Sequence, residues 1–176
     1  VKGETDQRRS RIESMMTSLA GGDQQLAAGT IRVMPQSLRA SLAESLGITP
    51  EKIGEYADQV LSMPSEDMEK MNRAILPRVR KDKDAAMNYA ILLVKCCRAT
   101  EEAKAKAAEE RDRLFSSRLA PEERARALAI AREEPGLNPY VVMDRATKAE
   151  RRARERAATK AAEADRRAKE QSALAV

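Results

Sequence analysis

Histidine and tryptophan are absent from this sequence, phenylalanine occurs once and tyrosine three times. Without His, the chain lacks the side chain that most often moves protons or ligates metals near neutral pH. No GxSxG elbow, no glycine-rich phosphate loop and no metal-ligand spacing is present. The expectation is a protein that is not an enzyme and holds no cofactor or metal.

Large apolar side chains are also scarce. The apolar fraction is 42%, but much of it is Ala, so a core must be assembled from Leu, Ile, Val and Met. Such a core is thin and suits helices. Gly and Pro number seven each, and β-branched runs are nearly absent. An all-α fold follows: a small irregular helical bundle, then long charged helices, the last an extended C-terminal helix. The longest apolar run, 90–94, falls far short of the roughly 18 residues a membrane span needs, so no span is expected.

The two cysteines are neighbours, Cys96 and Cys97. Adjacent helical residues point about 100° apart, so a bridge between them would be strained. The pair reads as a small buried hydrophobe plus a spare thiol, with Cys96 on the inward face. This cysteine usage fits a reducing intracellular compartment. The first residue is Val1, which fits removal of an organellar leader, a prohead-type cleavage or a missing terminus alike.

Helix punctuation organises the first half. A helix is predicted over 4–20, with Ile12, Met15, Met16 and Leu19 at helical spacing and Gly21-Gly22 as its stop. Residues 23–28 read as a short helical turn and 30–34 as a lone β-like patch. Pro35 opens a helix with Leu38, Leu42 and Leu46 on one face and Gly47 as its stop. Thr49-Pro50-Glu51 starts the next, whose stripe is Ile53, Tyr56, Ala57, Val60 and Leu61. Ser65 is expected to cap a third, carrying Met68, Met71, Ile75 and Leu76 and ending at Pro77. Met63, Met68 and Met71 suit either ordinary core or a pliable partner groove.

A long helix is predicted over 82–119, with Ala85, Ala86, Tyr89, Leu92, Leu93 and Cys96 inward and an Ala-rich charged stretch at 95–113. Leu114, Phe115 and Leu119 restore apolar character. Pro121 opens a further helix, with Ala127, Leu128, Ile130 and Ala131 inward. The string from Glu134 to Pro139 is the strongest loop signal, and the main boundary is expected there. The predicted organisation is a helical bundle over 1–98, a long-helix extension and hairpin over 99–138, and a projecting Ala-, Arg-, Glu- and Lys-rich helix over 139–176.

The net charge is +5, and most of the excess lies in the tail: residues 144–176 hold ten bases and six acids. From 144 to 171 the chain uses only Ala, Arg, Lys, Glu, Asp, Thr and one Gln. That composition favours a long helix with nothing large to bury. Ala146, Ala149, Ala153, Ala157, Ala161, Ala164 and Ala168 recur at steps of three or four and form one narrow seam. With Tyr140, Val141 and Val142 as an apolar root, this is the predicted partner-contact face. Arg145, Lys148, Arg152, Arg156, Lys160 and Arg167 each precede a seam alanine and form a cationic ridge suited to an anionic partner. Against it stands intrahelical pairing, with Glu150–Arg154, Arg151–Glu155 and Glu163–Arg167 at the right spacing. A second basic cluster, Arg78, Arg80, Lys81 and Lys83, alternates with Asp82 and Asp84 and reads as an exposed helix start.

These features point to a structural or linker subunit that bridges neighbouring protein subunits of a large complex. Photosynthetic, respiratory and ribosomal assemblies of an organelle fit. The alternative is a basic helical protein that binds nucleic acid in a ribonucleoprotein or capsid. A third is a scaffold that self-associates through the Ala seam.

Overall fold

The computed structural model describes residues 2–174, with side chains from residue 3 onward. Among the described residues there are eight α-helices and no strand. The fold is all-α. The chain divides into two compact units between Ala103 and Lys104. The expected boundary at 134–139 is instead a turn inside the second unit, because the helices on either side of it pack along each other.

The first unit contains α1 (Lys2–Ala20), α2 (Gln24–Arg32), α3 (Gln36–Leu46), α4 (Pro50–Ser62), α5 (Ser65–Ile75) and the opening part of α6 (Ala85–Arg118). A 3-10 turn, Leu76–Arg78, follows α5 where Pro77 forbids continuation. α2 lies along α4, α3 also meets α4, and α1 meets α2 and α5. Their shared core centres on Leu19, Ile31, Ile53, Tyr56, Val60, Met68, Ile75, Tyr89 and Leu93, all fully buried.

Sequence grammar accounts for most of these boundaries. The Thr49 hydroxyl accepts from the Lys52 amide at 3.4 Å, with Pro50 opening α4. Gly47 ends α3 at φ 65°, a left-handed conformation that costs glycine little. Gly22 has φ 80°, and a Cβ there would meet Glu69 Cγ at 3.1 Å.

Several details differ from expectation. The β-like patch at 30–34 is largely helix, because Asp23 caps α2 by accepting from the Leu26 amide at 3.0 Å. Thr30 is buried there, and its hydroxyl donates to the Ala27 carbonyl at 2.6 Å, which suits it to a helix. Ser65 is not a side-chain cap; Pro64 holds the cap position. α6 starts at Ala85 because Asp82 folds the preceding residues into a turn, accepting from the Asp84 amide at 2.9 Å. Ala86 is exposed; Cys96 is half-buried and packs against the core, and Cys97 is buried within it. Burial pushes the Cys97 thiol up to about 12.

Helix ends in this unit are closed by side chains from other helices. Gln24 Nε2 donates to the carbonyls of Val60 and Met63 at the end of α4. An Arg39 NH2 donates to the carbonyls of Ile31 and Arg32 at the end of α2, both at 3.2 Å. Asn72, fully buried, donates from Nδ2 to the Leu19 carbonyl at 2.7 Å near the end of α1. Each brings a side-chain donor to carbonyls of a helix's last turn, where intrahelical donors run out; Leu19, Ile31 and Val60 accept a backbone amide as well.

The second unit contains the rest of α6, α7 (Pro121–Glu133) and α8 (Pro139–Leu174). Pro121 opens α7, and the Glu123 carboxylate accepts from the Ala120 amide at 3.0 Å. Asn138 Oδ1 accepts from the Tyr140 amide at 2.9 Å and sets the start of α8. The core here is small: Phe115, Ala127, Ala131, Val142, Met143 and Ala146 are buried, with Leu114, Leu119, Leu128, Ile130 and Leu137 packed around them.

Candidate functional site

α8 has 36 residues and so extends about 54 Å, at about 1.5 Å per residue. It divides into two stretches of different character. Val142, Met143 and Ala146 are buried against the Phe115 cluster, and Ala149, Glu150 and Ala153 are half-buried. Every residue from 154 to 174 is exposed.

The seam alanines therefore fall into two groups. Ala146, Ala149 and Ala153 lie on the stretch covered within the chain, while Ala157, Ala161, Ala164 and Ala168 lie on the bare stretch. The apolar root divides as well. Val142 is buried, but Tyr140 is 58% and Val141 41% exposed. Helical geometry explains the division, since 142, 143 and 146 share a face and 140 and 141 do not. The Arg118 guanidinium lies 6.0 Å from the Tyr140 ring centroid, a cation–π distance.

The ridge divides in the same way. Arg145 pairs with Glu134 and Lys148 with Asp144, each at 2.8 Å. Glu150 gathers Arg126 at 2.5 Å and Arg154 at 3.2 Å. The Arg126 hydrogen bond, with a further one from Arg154, holds the Glu150 carboxyl below its usual range despite partial desolvation. Arg151 pairs with Glu155 at 3.7 Å and Arg166 with Glu170 at 3.6 Å. Two of the three anticipated i,i+4 pairs thus form; Glu163–Arg167 does not. Among the described residues, Arg152, Arg156, Lys160 and Arg167 make no ion pair within 4.0 Å.

Arg152, Arg156 and Lys160 follow one another at i, i+4 and i+8. With Glu155, Thr159 and Glu163 they line a shallow depression of about 380 Å³. Successive members stand about 6 Å apart along the axis, at about 1.5 Å per residue. Chemically the strip presents fixed positive charge and hydrogen-bond donors. Sequence spacing located the ridge but did not separate its engaged cations from its free ones. Arg145 is engaged from outside the helix by Glu134, and Lys148 from within it by Asp144 at i,i+4.

A second constellation, in the first unit, escaped sequence reading. The Tyr56 hydroxyl donates to Glu101 Oε2 at 2.5 Å, and Lys52 Nζ stands 3.0 Å from Glu101 Oε1. Arg98 lies 3.7 Å from the same carboxylate and 3.0 Å from Glu102. The Tyr56 hydrogen bond, then that of Lys52, holds Glu101 below the usual carboxylate range. Burial, then the Glu101 contact, pushes the Tyr56 hydroxyl up to about 12. The cluster ties α4 to α6.

Among the described residues, no group of three His, Cys, Asp or Glu side chains is placed to hold a metal ion, and no helix is long and apolar enough to cross a membrane. Compared with protein-family models, with curated proteins and with solved structures, the chain matches none.

Proposed function

We propose that the protein is a non-enzymatic structural subunit that joins neighbours within a larger macromolecular assembly, with the distal part of α8 as its contact element. The observation that carries this reading is the exposure of every residue from 154 to 174 on a helix continuous with a packed one. Helices in proteins take most of their stability from burying an apolar face. A helix polar on all sides serves as a bridge, relies on many exposed ion pairs, or fails to persist. Among the described residues, Arg154 at the start of this span pairs with Glu150 and Glu122, and Arg151–Glu155 and Arg166–Glu170 also form; the intrahelical pairs are worth about 0.2–0.5 kcal/mol each. A partner surface supplies what the helix lacks.

The test is incorporation. A tagged full-length chain and a form ending at residue 153 are expressed in the native host and sedimented. The shorter form keeps Phe115, Val142, Met143 and Ala146, the core of its second unit. The full chain is expected in a fraction far heavier than its own 19.5 kDa, and the shorter form in the free fraction. A full chain that sediments alone, or a truncated chain that stays in the heavy fraction, contradicts the proposal.

A further inference from the structure

We infer that the neighbour met by distal α8 is duplex nucleic acid, gripped through its phosphates by Arg152, Arg156 and Lys160; this rests on distal α8 being the contact element proposed above. Three observations carry it. First, charge is unevenly distributed along the chain. Residues 1–103 hold as many acids as bases, so the whole net charge of +5 falls in residues 104–176. Charge confined to one part of a chain is the usual footprint of a polyanion contact.

Second, the cations of α8 are not equivalent. Arg145, Lys148, Arg151 and Arg154 are each engaged by a carboxylate. Among the described residues, Arg152, Arg156 and Lys160 are engaged by none, and they fall on one strip. Of the two acids beside the strip, Glu155 already pairs with Arg151. Glu163 stands at the distal edge, and Arg167 continues the cationic line beyond it.

Third, the surroundings of the strip suit phosphate better than protein. Stable protein–protein interfaces rest on a few buried aromatic or large apolar anchors. From 144 to 171 the chain has no apolar side chain larger than Ala. A duplex needs no such anchor, because it offers about one negative charge per 1.7 Å of axis. Single strands are usually held by stacking on aromatic rings, and that stretch has none.

Binding of the full chain to a short DNA duplex, followed by fluorescence anisotropy at about 50 and about 200 mM salt, tests the inference. Three phosphate contacts predict a log–log salt slope of about −2.7, a loss of roughly 40-fold in affinity over that range. The triple variant R152Q/R156Q/K160Q, checked for matched helicity, is expected to remove that slope. R145Q/K148Q, which alters cations already engaged, is expected to leave it unchanged. Absence of duplex binding at the lower salt overturns the inference, as does equal loss in the two variants. Tighter binding to a single strand of equal length, or equal binding to polyglutamate, also overturns it. If these results go against it while the form ending at 153 still leaves the heavy fraction, the structural role stands and only the partner class is wrong.

Discussion

The Tyr89 hydroxyl donates to Asn72 Oδ1 at 2.6 Å, and both residues are fully buried. Asn72 sits on the apolar stripe of α5, one helical turn from Met68. It links α5 to α6 through Tyr89 and to the end of α1 through the Leu19 carbonyl. Burial raises the Tyr89 hydroxyl far above its ordinary range, so it remains a donor.

Asn72→Ala therefore leaves the buried Tyr89 hydroxyl without its partner, while the Leu19 carbonyl keeps the Gly22 amide at 3.0 Å. A loss of about 1–3 kcal/mol is expected, the usual cost of one orphaned buried group. Urea denaturation of the first unit measures it. Adding Tyr89→Phe should recover part of the loss, because the orphaned hydroxyl is then gone.

Glu101 and Tyr56 give opposite pH limits to the same contact. The Glu101 carboxyl is lowered in the folded state, so its contribution is present above the unfolded value and is lost as pH falls through the folded value. The Tyr56 hydroxyl is raised to about 12, so its contribution is present below about pH 10 and is lost as pH rises through about 12. Stability against pH for Glu101→Gln should show a shallower acid limb, and for Tyr56→Phe a shallower alkaline limb. Denaturation midpoints across the pH range test both.

Phe115 fills the middle of a core with few other large members. Phe115→Ala is expected to cost about 3–5 kcal/mol. The expected readout is selective: amides of α7 and of 139–150 in α8 lose protection, while those of α2 and α4 keep it. Equal loss in both units would contradict their description as separate compact bodies.

Glu150 receives Arg126 of α7 and Arg154 of α8. Its lowered carboxyl contributes above the unfolded value and ceases to contribute as pH falls through the folded one. Glu150→Gln should speed amide exchange around 126 and 150 at neutral pH and have little effect in strong acid. An unchanged rate at neutral pH would show that the pairs do not hold α7 to α8.

Much of the fold was legible in local chemistry. Thr49-Pro50, Gly47, Pro77 and Pro121 mark helix ends by backbone rules that operate within a few residues. The 30–34 patch was misread because Thr30 and Ile31 favour strands locally, whereas burial and the Asp23 cap decide in favour of helix. The burial of Cys97 beside an inward Cys96 was not legible from the stripe, because the packed face of α6 is wider than one row of residues. The caps supplied by Gln24, Arg39 and Asn72 were not legible, since they join residues far apart in sequence. Asn72 carried one signal, a polar side chain on an otherwise apolar stripe. On α8, the alanine and cation spacing was plain. Which members stay bare was legible only in part: Lys148 has Asp144 at i,i+4, but Arg145 is engaged by Glu134, which the turn before α8 brings near.

Hydrogen exchange on the isolated full-length chain, read residue by residue along α8, tests the central claim most directly. Amides of 142–150, beside the Phe115 core, are expected to be protected, and those of 156–174 to exchange nearly as fast as an unstructured chain. Protection of 156–174 equal to that of 142–150 in the lone monomer would contradict the claim that distal α8 depends on a partner surface.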